Sequence, residues 1–148
     1  MQKSLWSAGD RDELVSRVNR LEPTAAPRWG RMTAPQMLAH LTDWMAMAKG
    51  ELPTRFLNNF LQFAPVKQLA IYWLPFPKGV PTAQELISRV PADWDRERAT
   101  LCDYMTSFET MHPDGAWPLH PAFGTLTPSA WGVLGYRHTD HHLRQFGV

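Results

Sequence analysis

The chain has 148 residues, 44% hydrophobic and 20% charged, enough to bury a core as one domain spanning 1–148 without help from disulfides. Fifteen Lys and Arg balance fourteen Asp and Glu with no run of either sign, so the basic stripe that nucleic-acid binding needs is missing. A single cysteine, Cys102, rules out an internal disulfide and fits a helical pattern as a small core residue. With no signal-peptide pattern and no membrane-length apolar stretch, the expectation is a soluble, cytoplasmic protein.

The first predicted helix runs from about Asp10 to Leu21, with Leu14, Val15, Val18 and Leu21 as its apolar stripe. A loop from Glu22 to Gly30 follows. The second helix has a clear start, because Thr33-Ala34-Pro35-Gln36 supplies an N-cap Thr, an early Pro and a reciprocating Gln. It runs through Met37, Leu38, His40, Leu41, Trp44, Met45 and Met47 to Gly50, a glycine suited to the C-terminal cap. Thr54 to Trp73 is apolar and broadly helical, and Pro65 should kink or split it. Leu74 to Pro81 reads as a rigid connector, and Thr82-Ala83-Gln84-Glu85 as the capping box of a short helix. Another long helix spans about Asp93 to Met111, with Leu101, Met105 and Phe108 facing the core. A loop from His112 to Leu126 precedes a last helix, capped by Thr127-Pro128 and reaching about Gln145. No strand-like alternation and no internal repeat appears. The predicted fold is therefore all-α: a four-helix bundle with one extra short helix and one Pro-kinked helix.

The most informative segment is the last helix, where His138, His141 and His142 fall within five residues. His138 and His142 are spaced i, i+4, so their rings share a face one turn apart and suit a common metal ion. Trp131, Leu134, His138, Gln145 and one or both of His141 and His142 lie along the stripe that should face the interior. Neutral imidazoles buried together need a hydrogen bond or a metal to offset the loss of water. A third ligand would come from His40, on the apolar face of the second helix. Three neutral histidines with an open position resemble a catalytic-type site more than a closed structural one. Zinc, nickel and ferrous iron all accept such a divalent set. The alternative is a polar histidine patch on an amphipathic helix.

Neighbouring residues are read in the same way. Asp43, one turn after His40, is a candidate acceptor behind the site or an extra ligand. Asp140 lies about 200° round the helix from His138 and should face solvent or a partner. His120 opens His120-Pro121-Ala122-Phe123-Gly124 and either overhangs the site or is a structural loop residue. His112 reads as a surface or helix-end residue, and Arg144 as an exposed helix-end charge or a contact for an anionic substrate. Met37, Met45 and Met47 read as core or groove lining, and Trp29 and Trp44 as packing aromatics. No nucleophile motif, glycine-rich phosphate loop or CxxC is present, so the catalytic residues are unknown.

Gln36-Met37-Leu38-Ala39-His40 together with His138-Thr139-Asp140-His141-His142-Leu143-Arg144-Gln145 resembles the DinB-like (YfiT-type) metalloprotein superfamily. Trp29-Gly30-Arg31-Met32 and His120-Pro121-Ala122-Phe123-Gly124 are further landmarks of an uncharacterised branch. The resemblance runs from about Arg28 to the C-terminus. It implies a four-helix bundle, commonly a homodimer, with a divalent metal on His40, His138 and His142 and with His141 as a non-ligand. The usual His-Arg-Gly-Gln ending is replaced here by His142-Leu143-Arg144-Gln145. Characterised members include transferases and isomerases that use low-molecular-weight thiols. The expected function is thus a metal-dependent thiol S-transferase or hydrolase, in which the metal as Lewis acid lowers the pKa of a bound water or thiol. The competing expectation is a non-catalytic metal-binding or dimeric interaction protein.

Overall fold

The computed structural model describes residues 1–76, 83–87 and 89–148, the side chain of Gln84 excepted. The described residues are helical, with five α-helices and no strand: α1 (Ala8–Arg20), α2 (Ala34–Lys49), α3 (Val66–Tyr72), α4 (Trp94–Thr106) and α5 (Pro128–Gln145). Three single 3-10 turns lie at Phe60–Gln62, Gln84–Leu86 and Phe108–Thr110. Helix α1 packs on α4 and α5, α2 packs on the same two helices, and α3 lies against α5.

Local chemistry sets the helix boundaries. The Thr33 hydroxyl accepts from the Gln36 N–H and the Gln36 side chain accepts from the Thr33 N–H, closing the expected capping box of α2. Gly50 ends that helix in the left-handed region, at φ 85°. Thr127 caps α5 by accepting from Ala130 N–H, and Asp93 caps α4 by accepting from Arg96 N–H. Helix α1 begins earlier than expected because Ser7 caps it through Asp10 N–H. Helix α4 ends earlier, at Thr106, and a 3-10 turn still delivers Phe108 to the core with no exposed surface.

The largest departure lies between α2 and α4. The segment expected to be broadly helical from Thr54 to Trp73 holds only the 3-10 turn Phe60–Gln62 and the seven-residue α3. Pro65 splits these two pieces, occupying the N-cap of α3. What holds α3 is tertiary: Arg137 of α5 donates to the carbonyls of Ala70 and Ile71, acceptors that the helix end leaves open, and to that of Leu74 just beyond it. Lys67 donates to the Thr125 carbonyl at 3.0 Å and Leu57 N–H to the Pro121 carbonyl at 2.7 Å. The expected connector lies in part, and the expected capping residue Thr82 lies wholly, outside the described residues; a 3-10 turn at Gln84–Leu86 occupies the place of the short helix.

Tryptophans centre the core. Trp131 is fully buried, stacks on Trp117 with centroids 5.5 Å apart, and meets Trp44 at 5.6 Å. The N-terminal segment crosses α5 beside them: Leu5 N–H donates to the Gly132 carbonyl at 3.0 Å, and Trp6 Nε1 to the Pro128 carbonyl at 2.7 Å. A side-chain carbon on Gly135 would lie 2.5 Å from Leu5 Cδ1 and 3.1 Å from Trp44 Cζ3. Glycine at this position makes room on α5, one turn before His138, for Leu5 and for Trp44 of α2, itself one turn after His40. Gly135→Ala is expected to destabilise the protein by about 1–3 kcal/mol through overpacking, read as a lower midpoint of urea denaturation. A midpoint equal to wild type would overturn the close-approach argument.

Candidate metal centre

His40 and His138 project from α2 and α5 towards each other, and His142 joins them one turn further along α5. The ligand nitrogens of these three residues all lie within 4.8 Å of one another. Their rings form a triangle of edge-on contacts, with centroids 5.0 Å apart for His40–His138, 4.8 Å for His40–His142 and 4.9 Å for His138–His142. The structure thus brings together the three residues singled out from the sequence.

Hydrogen bonds fix two of the three tautomers. Nδ1 of His40 lies 2.6 Å from the Leu86 carbonyl, which only accepts, so Nδ1 carries the proton and Nε2 keeps a lone pair. The Gln145 amide nitrogen donates to the Trp29 carbonyl at 2.8 Å, so its oxygen faces His142 and accepts from Nδ1–H at 2.9 Å. Nε2 of His142 is likewise left with its lone pair. Groups behind a ligand that orient its ring in this way are characteristic of metal-binding histidines. Nε2 of His138 lies 3.0 Å from Nε2 of His40, and its Nδ1 is buried with no partner among the described residues. Three imidazoles, two with lone pairs set by their other hydrogen bonds, form a donor set that fits a divalent cation.

The electrostatics point the same way. Burial holds His40 below its usual range, opposed first by the Leu86 hydrogen bond and then by the charge of Asp43. Burial, followed by repulsion from His142, His40, His141 and His120, pushes His138 well below its usual value. Burial and then His40 push His142 down to about 3. All three rings are therefore neutral at physiological pH, the form that binds metal.

The centre opens on a cavity of about 500 Å³. Leu57, Phe60, Leu61, Val66 and Phe76 supply much of its apolar wall, and Trp29 and Arg31 also line it. Phe76 lies 6.0 Å from the His138 ring and 5.7 Å from that of His141, which also meets Trp29 at 5.5 Å.

Several neighbouring residues differ from expectation. Asp43 turns away from the centre to Arg89, which donates to it at 2.8 Å and to Glu97 as well. This ion-paired triad ties the segment after Leu86 to α2 and α4 and so helps to place the Leu86 carbonyl. Asp140 is mostly withdrawn from solvent: only 17% of its side chain is exposed, and Arg17 of α1 donates to it at 2.7 Å. Arg144 does point outward, bonded to Asp140 at 3.1 Å. His112 shares a bond of 2.7 Å with the Ala48 carbonyl, where it caps the end of α2. His120 is buried and lines the cavity. Met37, Met45 and Met47 are core residues, while Cys102 is only half-buried, its thiol raised by that burial. Two contributors were missed. Gln145 was visible on the right helical face, but its role depends on Trp29. The Leu86 carbonyl leaves no trace in side-chain pattern.

Among the described residues no helix is long and apolar enough to cross a membrane. No curated protein and no solved structure matches the chain. A family model described as "Protein of unknown function (DUF1569)" matches residues 2–147. With that match running over nearly the whole sequence, the chain belongs to the DUF1569 family.

Proposed function

We propose that this protein is a four-helix-bundle metalloprotein of the DinB-like type, with His40, His138 and His142 holding one divalent cation beneath an apolar cavity. The observation that carries the reading is the convergence of three neutral imidazoles within 4.8 Å, two of them oriented by Leu86 and Gln145. The ring of contacts α1–α4–α2–α5 supports the bundle. The opening of the centre onto a cavity of about 500 Å³ favours an enzyme over a purely structural site. A divalent cation held there supplies Lewis acidity to a small molecule in the cavity, in keeping with a thiol transferase or a hydrolase. The chain's own part is to present lone pairs already free of protons, to fix two rings from behind, and to exclude water with Phe76 and its apolar neighbours.

Elemental mass spectrometry of tag-free protein tests the centre. Wild type is expected to hold close to one divalent ion per chain, and His138→Ala to lose it while keeping its helical circular dichroism. Gln145→Ala is expected to weaken metal affinity about 10- to 100-fold by freeing the His142 ring. Wild type that stays empty after exposure to zinc, nickel and ferrous iron would overturn the reading.

The neutral histidines also set a pH dependence of stability in the metal-free protein. Their folded-state pKa values lie below the unfolded value of about 6.5, so on acidification the unfolded chain takes up protons first. Stability is then full above pH 6.5 and falls as pH drops towards the folded values, about 3 for His142 and His120. The depressed carboxylates Glu13, Glu51 and Glu97 act only at lower pH, below their ordinary 4.5. Urea midpoints at pH 7, 6 and 5 should therefore decline steadily, each histidine contributing at most about 1.4 kcal/mol per pH unit. A flat profile across this window would rule out buried neutral imidazoles.

A further inference from the structure

His120 is built into the cavity wall by its own loop. Its N–H donates to the Gly124 carbonyl and Gly124 N–H donates back to the His120 carbonyl, both at 2.9 Å. Gly124 sits at φ 66°, which side chains rarely tolerate, so the loop requires glycine there. Within this closed turn the His120 Nδ1 accepts from Ala122 N–H at 3.1 Å and from Phe123 N–H at 3.3 Å. Backbone amides only donate, so Nδ1 must be bare and Nε2 must carry the proton. The residue is 7% exposed, and its ring packs against Trp131 and Phe123.

Nε2–H makes no hydrogen bond to a described residue, and the ring lines the cavity. Unlike His138 Nδ1, which is fully enclosed, this donor is open to the cavity, where water or a ligand can accept from it. Burial keeps this imidazole uncharged, with its pKa lowered to about 3, so it offers a neutral donor rather than a cation. The surrounding wall is apolar, with Leu57, Phe60, Leu61 and Leu134 among its residues. Arg31 is the one charged side chain among the described lining residues and stands at an exposed position, so an anion beside His120 would lose water with little fixed charge to compensate it, whereas a carbonyl oxygen needs only one donor. The Trp44 ring stands between the two polar features, 6.4 Å from His120 and 5.3 Å from His138. A molecule lying along it can meet both.

We propose that the cavity binds a predominantly apolar small molecule bearing a carbonyl group, and that His120 Nε2–H is the donor that selects it. The inference rests on the cavity of the proposed metal centre but not on its metal, and it is tested on metal-free protein so that the two readings fail separately. The probes are benzophenone and diphenylmethane, nearly the same shape and differing by the carbonyl oxygen. Titrated into 15N-histidine-labelled protein, benzophenone should bind about three- to tenfold more tightly, the worth of one net hydrogen bond. It should also shift the Nε2–H resonance. His120→Asn, which keeps an acceptor near the Nδ1 position but removes the Nε2 donor, should abolish the preference for benzophenone over diphenylmethane. His120→Gln, which restores a donor near Nε2, should recover it. Failure of both probes to bind, equal binding of both by wild type, a preference that survives in His120→Asn, or a free-protein spectrum with the proton on Nδ1 would each overturn the proposal.

Discussion

The approach of His40 Nε2 to His138 Nε2, at 3.0 Å across the contact of α2 with α5, is the constraint around which the rest is organised. Imidazole nitrogens meet at this distance only if a proton lies between them or a cation is shared. The Leu86 carbonyl has already placed the His40 proton on the far side of its ring. What remains is one lone pair aimed at a neighbour in an interior too dry to charge either ring. The fold supports this arrangement from several directions. Gly135 makes room on α5 for Trp44 of α2, the Asp43–Arg89–Glu97 triad steadies the segment that carries Leu86, and Gln145 links the third imidazole to the loop at Trp29.

Among the described residues most charge is paired away from the histidine cluster, Asp43 being the carboxylate whose field reaches His40. The ion pairs Arg17–Asp140, Arg11–Glu109 and Arg89–Glu97 bind helices and connecting segments to one another away from the cluster. The cavity carries histidines and apolar groups, with Arg31 at an exposed position of its lining. Within such walls a bound cation would be the strongest local charge, so its field would act on an occupant with little screening. Burial keeps the histidines neutral, and no carboxylate stands among the three rings to oppose it.

Much of this was legible in the sequence, for reasons that differ by element. Helices α1, α2, α4 and α5 announce themselves through apolar periodicity and, in α2 and α5, through Thr-Pro starts. The i, i+4 pair on α5 follows from helical geometry alone. His40 could be named from its apolar face and from family resemblance, but only packing shows that α2 meets α5. The segment from Thr54 to Trp73 misled because its apolar residues serve a cavity wall instead of a helix stripe. Phe60 lines the cavity although 69% of it is exposed. The ion-pair partners of Asp43 and Asp140 were illegible for a related reason, since Arg89 and Arg17 are 46 and 123 residues away in the chain.

Arg137 and His138 are consecutive residues with divergent duties. One grips the last carbonyls of α3, which roofs the cavity; the other faces the imidazole cluster. Successive side chains on a helix point about 100° apart, so a single turn of α5 sets one arm in the roof and one in the floor. The cavity wall at α3 and the imidazole cluster are thus anchored on neighbouring residues of the same helical turn, so one short stretch of α5 fixes both sides of the space between them.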